Sequence, residues 1–265
     1  MALPLITLTT DFGERDPYVA AMKGVVLSRM AGAARPASIL DLTHDIGAQG
    51  VLEGALFLAG AVPWFPPGSI HVAVVDPGVG TDRRAIAVTA GGHCLIGPDN
   101  GLFTLVLDKL GLEETRLIEN PDCMAARISP TFHGRDIFVL TAGWLAAGNP
   151  FASIGPVVDN LASLDVPAPR QTDTGVTGAV LHVDRFGNVL TNIPQTLLPP
   201  DGQVTVRAGP AELSPLQRTY GDAPQGAGLI LISSAGYLEI AVHCGDAAKA
   251  YGLSPGDAVE ARRHS

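Results

Sequence analysis

Short β-branched and apolar runs alternate with longer amphipathic stretches through the first half of the chain. Leu5–Thr10 reads as a buried strand, Ser38–Leu42 and Ser69–Val75 as a second and a third, and Arg84–Ala90 and Cys94–Ile96 as shorter ones. Tyr18–Met30, Gly50–Ala61, Gly101–Leu110 and Ile137–Ala147 read as helices. Asp16 is placed to cap the first of these, with Pro17 at its first helical position. Strand and helix alternating in this way predict an α/β domain with a largely parallel sheet, spanning residues 1–167. Beyond Pro167-Ala168-Pro169, which reads as a linker, the pattern changes. Thr177–Val183, Gln203–Arg207, Leu229–Ile232, Tyr237–Val242 and Asp257–Ala261 are short strand-like runs separated by Gly, Pro and Asp. They predict a smaller all-β domain over 173–265, a barrel or sandwich. A crevice at such a domain border is a common place for a small-molecule site.

Composition narrows the function. A length of 265 residues suits two domains, and 46% apolar residues supply a sizeable core. The net charge of −9 argues against nucleic acid, whose phosphates need clustered Lys and Arg. Cys94, Cys123 and Cys244 form no C-x-x-C pair and read as reduced thiols of a cytoplasmic protein. Met1–Thr10 lacks the basic residues of a secretory leader. The longest apolar stretches are too short to span a bilayer, so no membrane partner is expected.

The chemistry concentrates in turns that follow or interrupt apolar runs. Val75-Asp76-Pro77-Gly78-Val79-Gly80-Thr81-Asp82-Arg83 and Thr131-Phe132-His133-Gly134-Arg135-Asp136 supply an acid, a guanidinium and an imidazole. Asp11 follows the first strand and Asp76 the third, so both reach the strand-end edge where open α/β sheets bind ligands. Asp11 suits a ribose diol or a plain turn, and Asp16 a helix cap or a substrate ammonium. Gly97-Pro98-Asp99-Asn100-Gly101 reads chiefly as a helix-capping turn. In the second half, Asp184-Arg185-Phe186-Gly187-Asn188 offers an amide suited to an adenine edge and a carboxylate suited to an amine. Ser233-Ser234-Ala235-Gly236-Tyr237 offers hydroxyls and backbone N–H groups suited to a carboxylate. Each of these is also compatible with an ordinary β-turn. H-E-x-x-H, zinc-type His/Cys spacing, G-x-S-x-G and P-loop patterns are all missing.

Six motifs in order resemble the S-adenosyl-L-methionine hydroxide adenosyltransferase family: Thr9–Gly13 with Asp16-Pro17-Tyr18, Val75–Thr81, Ile96–Gly101, Thr131–Asp136, Asp184–Asn188 and Ser233–Leu238. The resemblance implies that water or hydroxide displaces L-methionine from C5′ of S-adenosyl-L-methionine, giving adenosine and L-methionine. It implies a catalytic triad of Asp76, Arg83 and His133, with no metal or organic cofactor. It implies that Asp11 holds the ribose diol and Asn188 reads adenine, with Phe186 and Tyr220 packing on the ring. Asp16, Asp184 and Ser234 would hold the methionine end. Ala235 stands where fluorinating relatives carry Arg, so the carboxylate clamp differs here. It further implies a homotrimer with sites at subunit interfaces. Halogenating relatives differ at the triad acid position, and the fluorinating ones carry an extra loop. The intact triad and the short run from Thr81 to Ala90 favour water over halide. The competing readings are a chloride-dependent halogenating relative, a non-catalytic S-adenosyl-L-methionine or adenosine sensor, and a metal-dependent phosphatase using Asp11, Asp76 and Asp136.

Overall fold

The computed structural model describes residues 4–31 and 37–263, so Met1, Ala2 and Leu3 of the opening segment lie outside the described residues. The chain divides into two compact units, Met1–Leu164 and Asp165–Ser265. The strands of the first unit are Leu5–Thr10 (β1), Ser38–Thr43 (β2), Ile70–Val74 (β3), Ala85–Ala90 (β4), His93–Pro98 (β5) and Leu112–Leu117 (β6). Its helices are Tyr18–Met30 (α1), Val51–Ala61 (α2), Thr104–Leu110 (α3) and Val139–Ala146 (α4).

The sheet order is β2-β1-β3-β5-β4-β6. β1 runs parallel to β2 and β3, and β3 parallel to β5. β4 is antiparallel to both β5 and β6, so the sheet is mixed rather than largely parallel. The cause is the dipeptide Gly91-Gly92, at φ +55° and +77°. Two consecutive positive φ values make the tight turn that reverses a strand onto its neighbour, which here pairs Ala90 with His93. β6 escaped the pattern reading because Leu112-Glu113-Glu114-Thr115-Arg116-Leu117 is a polar edge strand with little apolar signal.

Helices cover both faces of the sheet. Met22 and Val26 of α1 and Val139 and Ala142 of α4 pack on one face with Ile6, Leu8 and Val72. Leu58 of α2 and Val106 of α3 pack on the other with Ala73, Val75 and Leu95. All five residues of β3 are buried, as a central strand with two covered faces requires. The start of α1 differs from expectation. Pro17 is its cap residue and no side chain caps it, so Asp16 lies outside the helix with an exposed carboxylate.

The second unit contains Arg170–Thr172 (β7), Gly175–Val183 (β8), Val189–Pro194 (β9), Val204–Ala208 (β10), Ala211–Leu213 (β11), Gly228–Ile232 (β12), Tyr237–Val242 (β13) and Ala258–Arg263 (β14). They pair antiparallel along the path β11-β10-β14-β8-β9-β13-β12, with β7 beside β8. Val176, Val180, Val189, Ile193, Val206 and Ile240 line its core. Among the described residues, no helix is long and apolar enough to cross a membrane.

A buried imidazole pair sits within the first sheet. Thr7 Oγ1 lies 2.8 Å from His71 Nδ1, and His71 Nε2 lies 3.2 Å from His93 Nδ1. Burial, and then the neighbouring His93, pushes His71 down from 6.5 to about 3. The unfolded chain therefore binds this proton below pH 6.5 while the folded chain does so only near pH 3. Stability from this group is full above pH 6.5 and falls as the pH drops below it, by at most about 1.4 kcal/mol per pH unit. His71→Gln should flatten the fall in the urea midpoint between about pH 6 and pH 4, within the window those values set. Equal pH slopes in the two proteins would show that His71 does not carry the effect.

Candidate active site

The parallel pairing of β1 and β3 sets Thr10 beside Val74, so Asp11 and Asp76 leave the sheet at the same edge. After β3 the chain turns at once. Val79 N donates to Asp76 O at 3.2 Å, and Thr81 Oγ1 donates to Gly78 O at 2.7 Å. Gly80, at φ +77°, packs so closely that a Cβ would stand 2.4 Å from Pro130 O. Only glycine allows that approach. It brings the loop after β3 against the segment that carries His133.

Arg83 closes the arrangement. Its Nε donates to Asp76 Oδ1 at 3.0 Å and Oδ2 at 3.1 Å, and its Nη2 donates to Oδ2 at 2.5 Å. The same Nη2 lies 2.6 Å from His133 Nδ1. The two side chains are buried, 4% exposed for Asp76 and 10% for Arg83. The guanidinium also lies 5.3 Å from the centre of the Phe138 ring, within cation–π range. An arginine has no acceptor, so His133 Nδ1 must present its lone pair and the imidazole proton must reside on Nε2. Burial, followed by the Arg83 charge, holds the His133 imidazole below its ordinary value and so favours this neutral form.

Neighbouring groups fix the two loops. His133 immediately precedes a π-helical turn, Gly134–Phe138, which leads into α4. Asp136 in that turn is buried, pairs with Arg135, and accepts from Ser129 N at 2.8 Å. The Gly97–Gly101 motif acts on the other loop. Asn100 Nδ2 donates to Val75 O at 2.8 Å while its Oδ1 accepts from Leu102 N at 3.2 Å. Asp99 accepts from Arg84 Nε at 2.7 Å and from Ala162 N at 2.8 Å. Asp99 and Asn100 therefore brace the residues flanking Asp76 and Arg83 rather than joining the triad.

Asp11 Oδ2 accepts from Gln49 N at 2.8 Å. Pattern reading missed an aromatic cluster beside it. Phe12, Tyr18 and Phe132 meet at centroid distances of 5.3–6.0 Å, and Arg135 lies 4.9 Å over Phe132. With Ser129, Thr131 and Arg135 the rings line a cavity of about 350 Å³. The signal was present, since all three rings lie within the quoted motifs. Asp11, Asp76 and Asp136 do not form a metal-type cluster: among the described residues no group of three or more His, Cys, Asp or Glu could hold a metal ion.

In the second unit, Asp184, Phe186, Asn188 and Tyr220 line one cavity of about 620 Å³, together with Cys244 and Asp246. Asp184 organises the turn beneath it. Its Oδ1 accepts from Phe186 N at 2.9 Å and Asn188 N at 2.8 Å, and its Oδ2 accepts from Asn188 Nδ2 at 3.0 Å. Phe186 is 75% exposed. Ser234 is exposed in the Ser233–Tyr237 turn and is not part of this cavity's lining. The sequence did not mark Cys244 and Asp246 as cavity walls, because the turn after β13 carries no motif that does so.

The α/β unit thus carries an acid–guanidinium–imidazole chain at its strand ends, and the antiparallel unit a ring-lined cavity. The chain belongs to the S-adenosyl-L-methionine hydroxide adenosyltransferase family, matching its N-terminal domain over residues 6–155 and its C-terminal domain over 178–260. It is 45% identical to an (R)-S-adenosyl-L-methionine hydrolase of Salinispora arenicola, over 96% of each chain. A fluorinase of an Actinoplanes species is 30% identical over 96% of this chain and 95% of its own. The crystal structure of a conserved Thermotoga maritima protein superposes with a TM-score of 0.89 at 36% identity, covering 97% of this chain and all of that one.

The brace from Asn100 is open to test. Asn100→Ala leaves the Val75 carbonyl and the Leu102 N–H without these partners, so it should lower stability by about 1–3 kcal/mol in urea denaturation. A variant as stable as the wild type would remove Asn100 from the scaffold.

Proposed function

We propose that this chain hydrolyses S-adenosyl-L-methionine to adenosine and L-methionine, and that the epimer it takes is the (R)-sulfonium named for its relatives. The observation that carries the mechanism is the unbroken chain from Asp76 through Arg83 to His133. Sulfonium is already a good leaving group, so no acid need protonate it. The barrier lies in orienting and desolvating a weak nucleophile. Water oxygen bonds to C5′ as the C5′–S bond breaks, and the bonding pair leaves on sulfur as neutral thioether. The water proton must then find an acceptor. Arg83 has none, and neutral His133 uses its Nδ1 lone pair on Arg83. Asp76 Oδ1, which accepts from Arg83 Nε, keeps a lone pair for that proton. His133 Nε2–H and the remaining Arg83 N–H can orient the water and stabilise hydroxide-like charge.

In this reading the first unit is the catalytic domain and the second binds substrate. Asp11 takes the ribose diol, and Asn188, Phe186 and Tyr220 take the adenine. Asp16, Asp184 and Ser234 serve the methionine end. Three features support it: Asp11 and Asp76 share a sheet edge, Asp184 to Tyr220 share a cavity, and Phe186 projects a bare ring there. The protein would work in the cytoplasm as a homotrimer whose neighbouring subunits complete one another's sites.

The deciding experiment incubates the protein with each sulfonium epimer and resolves the products by chromatography. Adenosine formed faster from the (R) epimer supports the proposal. Chloride-dependent formation of a 5′-chloronucleoside would instead mark a halogenating enzyme, and binding without turnover a sensor. Asp76→Ala and His133→Ala should each lower kcat by roughly 30- to 900-fold, about 2–4 kcal/mol, with little change in adenosine affinity. Wild-type turnover in both would dismiss the triad. For the assembly, Asp76→Ala and Asn188→Ala subunits exchanged into mixed trimers should recover part of the lost activity. Mixed trimers that stay inactive would place each site within one chain.

A further inference from the structure

Tyr220 is held from two directions. Its backbone lies in the short 3-10 turn Tyr220–Asp222. There Thr219 Oγ1 accepts from Gly221 N at 3.2 Å, and Asp222 Oδ2 accepts from Arg218 N and Thr219 N at 3.0 Å each. This reciprocal capping fixes where the ring starts, but a ring 41% exposed can still rotate about its side-chain bonds. The second hold removes that freedom. Tyr220 Oη donates to Glu239 Oε1 at 2.6 Å.

Glu239 is unusual where it stands. It is 7% exposed on β13, paired with Leu190 of β9 on one side and Leu231 of β12 on the other. A carboxyl group among apolar strand neighbours is costly unless it is hydrogen-bonded. Burial, with Asp184 nearby, pushes its acid upward against the opposing pull of the Tyr220 hydrogen bond. Neither the triad nor the cavity lining includes it, and an apolar residue would pack this strand position without that cost. What Glu239 does reach is one aromatic wall of the cavity that Asp184, Phe186 and Asn188 also line.

We propose that Glu239 is a positioning residue for nucleoside recognition: by holding the Tyr220 hydroxyl, it sets the ring as a fixed wall against which a planar base packs. The proposal rests on the reading of this cavity as the adenosine-binding part of the site. A ring fixed before binding loses no rotamer freedom when the base arrives, so the tether raises affinity without touching the ligand. It acts on ground-state binding and leaves the water-activating groups alone, which separates its effect from that of Asp76 or His133.

The test is calorimetric titration with adenosine, the expected product, alongside steady-state kinetics. Tyr220→Phe keeps the ring and removes the tether, and Glu239→Leu removes it from the other end. Each should weaken adenosine binding by about tenfold, the scale of one hydrogen bond. Each should also raise KM with kcat little changed. The double variant should be no weaker than either single one, because both remove the same bond. Glu239→Gln, whose amide oxygen accepts the same hydroxyl, should bind nearly as well as the wild type. Unchanged affinity in Tyr220→Phe, or additive losses in the double variant, would overturn the tether. Tyr220→Phe and Glu239→Gln are close in shape to the native residues, so they decide the matter even if Glu239→Leu does not fold. A wild type that binds no adenosine would overturn the functional reading itself, whereas wild-type binding with an indifferent Tyr220→Phe would overturn only the role of Glu239.

Discussion

One guanidinium shared between a carboxylate and an imidazole organises the first unit's site. Arg83 gives two nitrogens to Asp76 and one of the same pair to His133, at 2.5–3.1 Å. A buried charge pair of this kind is stable only when its remaining donors and acceptors are satisfied. That requirement propagates outward. Arg83 Nη1 reaches Arg84 O, Arg84 pairs with Asp99, and Asn100 holds Val75 beside Asp76. On the other side Asp136 holds Ser129, and Gly80 admits Pro130. The loops are thus built around the need to keep one arginine planar, paired and partly dry.

The arrangement also assigns protons. Because Arg83 can only donate, it selects the His133 tautomer, and burial, followed by the Arg83 charge, holds that imidazole below its ordinary value and favours the neutral ring. Within this chain of hydrogen bonds Asp76 only accepts, Arg83 only donates, and the His133 Nε2–H remains a donor. This division suits displacement of a cationic leaving group, where the only charge to manage is on the nucleophile. A general acid poised at sulfur would add nothing.

The second unit meets a different demand. An antiparallel sheet offers turns at its ends, and the turn between β8 and β9 is closed by Asp184 accepting three hydrogen bonds. Asp184 therefore shapes the cavity floor whatever else it binds. Rings of Phe186 and Tyr220 stand at the same cavity, one largely exposed and one tethered. Such a surface favours a flat apolar ligand with a polar edge, a description that an adenine ring meets.

Much of this was legible in the chain itself. Strands β1, β3 and β13 and helices α1 and α2 follow from runs of β-branched residues or long apolar segments, because burial of such faces is a local, periodic demand. The turns supplying an acid, a guanidinium and an imidazole stood out as polar, Gly-rich segments after apolar runs, and the family resemblance named Asp76, Arg83 and His133 within them. The capping of α1 by Asp16 did not hold, since Pro17 takes the cap position at the start of the helix and no side chain bonds there. Strand direction was not legible either: Gly91-Gly92 reverses β4 against β5, and edge strand β6 carries no hydrophobic pattern. The resemblance already pointed to Arg83, but only the tertiary structure shows its guanidinium bonded to both Asp76 and His133, and Asp99 and Asn100 bonded to Arg84 and Val75. It alone brought Glu239 to Tyr220 across 19 residues. Periodicity reports which face a residue presents, but a hydrogen bond between distant segments depends on where packing sets their backbones to within a few tenths of an ångström.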